Sequence, residues 1–97
     1  MSIWRQVMAK CEEAKRTMLQ DRPAGEMAFA ALLRDHPDDG MVHFKRAEAY
    51  EHLGAYSIAE GEYARAERLF PWADWKARAR AARERAATAH VRLAHVR

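Results

Sequence analysis

The sequence contains little cysteine, proline or glycine. Its 97 residues include one cysteine, three prolines and four glycines. A single cysteine, Cys11, cannot form an internal disulfide, which favours a reducing, cytoplasmic setting. Because helix-breaking residues are few and no strand-like alternation of apolar and polar residues is present, the chain is expected to be helical.

Long hydrophobic runs are also missing. No apolar stretch approaches the roughly 20 residues that a membrane-spanning helix needs, and the first ten residues lack the apolar core of a secretory signal. Hydrophobic residues, many of them alanine, make up 49% of the chain and charged residues 32%. This composition is typical of a soluble helical protein, and the length suits one domain with a small core. We therefore expect a single-domain, all-α protein without membrane contact.

Charge is distributed unevenly along the chain. Up to Trp75 there are 10 Lys and Arg against 13 Asp and Glu, a balance of −3, whereas residues 76–97 hold 7 basic residues against one acid, a balance of +6. An acidic body followed by a basic helix is typical of two situations. Either the helix binds an acidic surface such as a nucleic acid, or the two parts match their charges within the molecule.

Apolar spacing and boundary residues predict five helices. A capping Asp21 followed by Pro23 starts the second helix, and Pro37 ends it. Gly54 is a natural left-handed end for the third helix, and Pro71 closes the fourth. The predicted ranges are residues 3–20, 23–35, 38–54, 56–70, and a last helix of about 22 residues that starts near residue 73.

Residues 40–71 contain the most informative pattern. Six small, aromatic and proline residues follow one another at intervals of 3, 9, 4, 3 and 5: Ala47, Tyr50, Ala59, Tyr63, Ala66 and Pro71. This stretch resembles a tetratricopeptide repeat, a 34-residue helix–turn–helix unit with an Ala-x3-aromatic run that ends on proline. The preceding residues repeat the pattern less closely, with Gly25, Phe29, Leu32 and Pro37 each one such unit before Ala59, Tyr63, Ala66 and Pro71.

The resemblance implies a right-handed helix–turn–helix stack of about five helices, a tetratricopeptide-like α-solenoid. Residues 1–37 form a degenerate first repeat, residues 38–71 an intact second repeat, and residues 72–97 a capping helix. The alanines and tyrosines of the pattern are then core residues that let neighbouring helices pack closely. The last helix is expected to dock through an alanine-rich stripe made of Trp75, Ala79, Ala82, Ala86, Ala89, Leu93 and Val96.

The same resemblance implies a non-enzymatic adaptor that binds a peptide or a partner helix in a concave groove. Helices one, three and five line that groove in the family. The expected contributors here are Lys10, Met41, Phe44, Lys45, Glu48, Glu51 and His52. Phe44 is the most interesting of them, because no core role obviously requires it. The alternative for each residue is an ordinary solvated helix face.

Two other hypotheses stay open. Trp4, Trp72 and the alanine stripe of the last helix would join two copies into a symmetric dimer. Alternatively, Lys76, Arg80 and Arg83 would form a basic surface for nucleic acid, which we regard as a minority interpretation because no nucleic-acid motif accompanies them. In that arrangement Arg78, Arg85 and Arg92 lie along the edge that meets acids of the fourth helix, such as Glu60 or Glu67.

Catalytic and metal-binding patterns are not recognisable. The five histidines lack a convincing metal-ligand spacing. The chain has no Gly-rich phosphate loop and no plausible Ser, His and Asp set. We therefore expect no enzyme activity, no metal and no cofactor.

Overall fold

The computed structural model describes residues 2–95. Over this range the chain forms five α-helices and no strand, namely α1 (Ile3–Gln20), α2 (Arg22–Asp35), α3 (Gly40–His52), α4 (Tyr56–Leu69) and α5 (Ala73–His95). The predicted all-α class and the five helices are confirmed, and every helix starts within two residues of the predicted position. Val96, the last member of the predicted stripe, lies outside the described residues.

Local side-chain chemistry explains the helix boundaries. The Asp21 carboxylate accepts a hydrogen bond from the Ala24 backbone N–H at 3.2 Å, and Asp39 accepts one from Met41 at 2.9 Å. Each bond satisfies a backbone donor that the first helical turn leaves without an intrahelical partner. Gly54 has φ +77°, so the corner between α3 and α4 uses a backbone conformation that favours glycine.

The helices pack in a sequential order. α1 contacts both α2 and α3, α3 contacts α4, and α4 contacts α5, with a smaller contact between α2 and α3. Two ion pairs join α1 to α3, Glu12 with Lys45 and Lys15 with Glu48, and the sequence separation is the same in both. Because both residue numbers advance together, α1 and α3 run parallel. None of the helices between residues 2 and 95 is both long and apolar enough to cross a membrane.

Two hydrophobic clusters form the core. The larger cluster draws residues from all five helices, and its largest fully buried side chains are Tyr63, Phe29, Met18, Val42 and Cys11. The smaller cluster contains Met41, Ala66, Phe70 and Ala79. Burial raises the pKa of the Cys11 thiol to about 12, so this side chain is a buried apolar group near neutral pH.

The α5 stripe docks through its central alanines. Ala79, Ala82 and Ala86 are buried, and α5 packs along α4. Small side chains let the two helix backbones approach closely. Beyond this seam the burial ends, and Leu93 is 47% exposed.

Candidate functional site

Lys45 and Glu48, two of the predicted groove residues on α3, lie beside α1, where they form an ion-pair network. The Lys45 Nζ atom is 2.7 Å from Glu12 Oε1 and 3.3 Å from Glu48 Oε1, while Lys15 Nζ is 3.6 Å from Glu48 Oε1. Burial alone would lower the pKa of Lys45, but pairing with the two glutamates outweighs it and raises the pKa. Lys45 and Glu48 therefore come together as predicted, and both are paired to neighbouring side chains.

Glu51 ties three helices to one another. Its carboxylate accepts two hydrogen bonds from Arg85 of α5, at 2.7 and 2.9 Å, and a third from the Tyr63 hydroxyl of α4 at 2.7 Å. The Arg85 guanidinium holds the pKa of Glu51 below its ordinary value, against the effect of burial. His52, the next residue along α3, is exposed. Among the predicted groove residues on α3, His52 is thus the one most accessible to a partner.

Met41 and Phe44 have packing roles that the sequence interpretation did not assign to them. Met41 is 4% exposed and belongs to the smaller core cluster. Phe44 is half-buried and contacts both clusters, with ring centroids 5.3 Å from Tyr63, 6.0 Å from Phe70 and 5.9 Å from Trp75. The expectation that Phe44 has no core role was wrong. The reason is that Phe70, at the end of α4, and Trp75, in the first turn of α5, both pack against Phe44 of α3.

Lys10 lies on a different side of α1 from the ion-pair network. It lines a shallow groove between α1 and α2, together with Glu13 and Thr17. Two residues along a helix correspond to a rotation of about 200°, so Lys10 and Glu12 project in nearly opposite directions. The structure therefore separates Lys10 from the other predicted groove residues.

The basic residues of α5 are arranged opposite to the prediction. Arg80 Nε lies 2.9 Å from Glu67 Oε2, Arg83 Nε lies 3.2 Å from Glu67 Oε1, and Lys76 Nζ donates to the Glu67 carbonyl at 2.9 Å. The residues expected to face phosphates thus meet the acid of α4. The Arg80 and Arg83 charges hold the pKa of Glu67 below its ordinary value.

The opposite edge of α5 also differs from the prediction. Arg85 pairs with Glu51 of α3, and Arg78 lies over the Trp75 ring at 4.6 Å. The rotation of α5 about its own axis decides which arginines face α4 and which face α3. Arg83, for example, lies on a flank of the alanine seam, and its long side chain reaches across to Glu67 of α4. Two carboxylates, those of Glu51 and Glu67, therefore pair with three of the arginines of α5.

A large concave surface lies where the start of α1 meets the α2–α3 and α4–α5 connections. It is a cleft of about 780 Å³, which we call the aromatic cleft. The start of α1, the α2–α3 connection, the start of α3 and the α4–α5 connection form its walls. Its lining residues are Trp4, His36, Pro37, Asp38, Asp39, Gly40, Met41, Leu69, Phe70, Pro71, Trp72, Asp74 and Trp75. A concave, mostly apolar surface with a few polar groups is typical of a binding site.

Two tryptophans remain exposed beside this cleft. Trp4 is 54% exposed and Trp72 is 58% exposed, which leaves much of two large aromatic side chains in water. The sequence interpretation placed both in a dimer surface with the alanine stripe of α5. That combination was wrong, because α4 covers the central alanines Ala79, Ala82 and Ala86. The two tryptophans and the buried alanines of the stripe therefore do not form one surface.

A buried polar network supports the wall of the cleft. His43 is 3% exposed, with Nδ1 at 3.0 Å from Glu62 Oε2 and Nε2 at 3.1 Å from the Pro37 carbonyl. Arg46 also reaches Glu62, with Nε at 2.9 Å. Burial alone would raise the pKa of Glu62, but the contacts with His43 and Arg46 outweigh it and lower the pKa. The network holds the α2–α3 connection against α3 and α4.

The sequence carried one signal that points to the aromatic cleft. Pro37 and Pro71 are 34 residues apart, and each comes shortly after the end of a helix. Trp72 directly follows the second proline and Trp75 comes three residues later. The structure places both tryptophans beside the α2–α3 connection that contains the first proline.

Comparisons of the chain with protein-family models, with curated proteins and with solved structures found no match. Between residues 2 and 95, no group of three or more His, Cys, Asp or Glu side chains is placed to hold a metal ion. The geometry described above is therefore the basis for assigning a function.

Proposed function

We propose that this chain is a non-enzymatic protein-interaction module that binds a segment of another protein chain in the aromatic cleft. The observation that carries the proposal is the exposure of Trp4 and Trp72 beside an apolar concave surface. Exposed aromatic side chains around a pocket are typical of interaction sites, where tryptophan often contributes a large share of the binding free energy.

The proposal includes a tetratricopeptide-like right-handed stack with two repeat units and a capping helix. The spacing of contacts between the odd-numbered helices supports it. Glu12 and Lys45 join α1 to α3, Glu51 and Arg85 join α3 to α5, and the two sequence separations differ by a single position. A nearly constant displacement between successive units is what a repeat architecture produces. The cytoplasmic location stays a prediction that rests on the single cysteine.

The cleft has more support as the binding surface than the predicted groove. The groove side chains of α3 are paired with α1 and α5, so a partner would have to replace existing ion pairs. The exposed tryptophans of the cleft require no such exchange. Nucleic-acid binding through Lys76, Arg80 and Arg83 has less support, because Arg80 and Arg83 are already paired with the Glu67 carboxylate and Lys76 donates to the Glu67 backbone carbonyl.

Capture experiments with the full chain test this function. The immobilised protein is exposed to an extract of its source organism, alongside a Trp72→Ala variant. Ile58→Ala is the matched control, because Ile58 is 44% exposed on α4 and does not line the cleft. We expect the captured protein to be lost with Trp72→Ala and retained with Ile58→Ala.

A His52→Ala variant tests the predicted groove in the same assay. Its side chain is exposed, so the substitution leaves the core intact. Loss of capture with His52→Ala but not with Trp72→Ala would contradict the cleft and assign binding to the groove. Circular dichroism of each variant verifies that the helical content is unchanged.

A further inference from the structure

The last described turns of α5, like the tryptophans of the cleft, expose apolar side chains to water. α5 has 23 residues, whereas α4, the helix that covers it, has 14. Every residue of the segment 90–95 is exposed, including the apolar side chains Val91 at 52% and Leu93 at 47%. Residues 85–97 contain no Asp or Glu and include three arginines and two histidines. We call residues 90–95 the α5 end, and its chemistry is apolar and basic.

The aromatic cleft has the complementary chemistry. Three carboxylates and no Lys or Arg line it, and the carboxylates are those of Asp38, Asp39 and Asp74. Asp39 and Asp74 each accept a hydrogen bond from a backbone N–H at a helix start, which offsets part of their charge, while Asp38 is exposed. The cleft therefore offers aromatic surface together with negative charge, which suits an apolar segment that carries arginine.

The fold keeps these two surfaces apart within one molecule. Asp74 of the cleft and Arg92 of the α5 end are near opposite ends of the same continuous helix. At a rise of about 1.5 Å per residue they are separated by about 27 Å along the helix axis. The α5 end consequently cannot enter the cleft of its own chain while α5 stays helical.

We propose that the α5 end of one copy docks in the aromatic cleft of a second copy. The inference rests on the proposed function, because it takes the cleft as the interaction site and names a second copy of this chain as its occupant. Val91 contacts the exposed tryptophans, and Arg92, the next residue along the helix, lies near Asp38. Two otherwise unrelated features, an acidic aromatic cleft and a basic apolar helix end, then form one interface.

This contact has a distinctive consequence for assembly. The two surfaces differ, so the contact is head-to-tail, and each added copy leaves another cleft and another α5 end exposed. Association therefore continues beyond the dimer as the concentration rises. An interface made by two helical turns belongs to the small, transient class, below about 1,200 Å² in total. Charge complementarity makes it stronger at low salt.

Sedimentation velocity of the full chain tests the proposal, over a dilution series at low and at physiological salt. A cleft variant, Trp72→Ala, and an α5-end variant, Val91→Ser with Arg92→Glu, each remove one surface. All substituted side chains are exposed, so the fold is retained. We expect the wild-type chain to associate progressively and each variant alone to bind itself at least tenfold more weakly. Ile58→Ala, the control, associates like the wild type.

Mixing the two variants provides the decisive measurement. The cleft variant keeps an intact α5 end and the α5-end variant keeps an intact cleft, so an equimolar mixture forms one-to-one dimers and no longer species. A wild-type chain that stays monomeric at millimolar concentration and low salt would overturn the inference, as would a mixture that stays monomeric.

These outcomes are separable from those of the proposed function. If the wild type is monomeric while capture still depends on Trp72, the second copy is not the occupant and the cleft binds a different protein. If self-association depends on Trp72 while capture does not, the self-docking stands and the proposed binding of another protein in the cleft fails.

Discussion

The pair α1–α2 and the pair α3–α4 use equivalent positions in different ways. At residue 25 the first pair has glycine, and a Cβ atom placed there would lie 2.3 Å from the Met18 Cα atom. The second pair has Ala59 at the equivalent position, and its methyl group is fully buried. The first pair therefore packs backbone against backbone, whereas the second leaves room for a methyl group between its helices.

The connection between the two helices of a pair is two residues shorter in the first pair than in the second. One residue, Asp21, separates α1 from α2, whereas three residues separate α3 from α4. α1 has 18 residues and α3 has 13, and this difference outweighs the shorter corner of the first pair. The buried residues of α1 and α3 therefore match at a spacing of 36, with Cys11 equivalent to Ala47 and Ala14 to Tyr50, while α2 and α4 match at 34.

The second pair also contains polar networks that the first lacks. The positions equivalent to His43, Glu62 and Tyr63 are occupied in the first pair by Val7, Ala28 and Phe29, none of which can make these hydrogen bonds. Close approach and apolar contact therefore hold the first pair together, whereas buried hydrogen bonds hold the second. Each of the following predictions tests part of this difference.

Gly25→Ala is expected to have the largest effect. The added Cβ atom meets the backbone of Met18, which cannot move without displacing α1, so we expect a loss of about 3 kcal/mol or more in the free energy of unfolding. Gly61→Ala on α4 is the matched control, because its Cβ atom has open space, and helix propensity predicts a gain of about 0.5–1 kcal/mol. Urea denaturation measures both, and equal effects at the two sites would contradict the close approach of α1 and α2.

Glu62→Ala removes the acceptor shared by His43 and Arg46. Both groups then remain partly or fully buried without their carboxylate, so we expect a loss of about 3 kcal/mol. Ala28→Ser at the equivalent position of α2 is the control, and a change below about 1 kcal/mol is expected there because the residue has no polar partner to lose. Thermal unfolding followed by circular dichroism compares the two variants.

Acidification tests the same network together with the exposed ion pairs. The pKa values of Glu12, Glu51, Glu62 and Glu67 are all lowered in the folded chain from 4.5. A lowered folded-state pKa means that stability is present above pH 4.5 and decreases as the pH falls through the folded-state values. Denaturant midpoints between pH 3 and pH 7 should show this decrease, and the Glu62→Ala variant should show a shallower one. A midpoint independent of pH below 4.5 would refute the ionic contribution.

A reciprocal exchange at the buried aromatic positions should give a smaller effect. Tyr63→Phe removes the hydroxyl that donates to Glu51, and we expect a loss of about 1–2 kcal/mol. Phe29→Tyr places a hydroxyl in a fully buried site of the first pair, which should cost a similar amount because that site is apolar. If Phe29→Tyr were neutral, the apolar character assigned to the first pair would be wrong.

Arg85→Ala should have the smallest effect on stability. The Arg85 side chain is 60% exposed, so its pairing with Glu51 is screened by water, and we expect a change below about 1 kcal/mol. Chemical denaturation at low and high salt measures it, with Arg92→Ala as the control on the exposed α5 end. A loss of unfolding free energy well above about 1 kcal/mol would show that the Glu51–Arg85 pair stabilises the fold more than the exposure of Arg85 indicates.

Much of the fold was predictable from short stretches of sequence, and less of the candidate site was. Asp21, Pro23, Pro37 and Gly54 marked helix boundaries correctly, because capping and backbone preferences act within a few residues. The packing of Phe44 against Trp75 was not predictable in this way. The two residues are far apart in sequence, and their contact depends on where α5 crosses α3.

The sequence alone determined the number and order of the helices and the alanine seam on α5, because these follow from local periodicity and end signals. Tertiary structure decided the rotation of α5, which pairs Arg80 and Arg83 with Glu67. It also decided which side of α1 faces α3, and this places Lys10 away from Lys45. It also created the aromatic cleft from two interhelical connections and two helix starts. The physical reason is that contacts between helices depend on how each helix is rotated and shifted against its neighbours, and every buried side chain contributes to that arrangement.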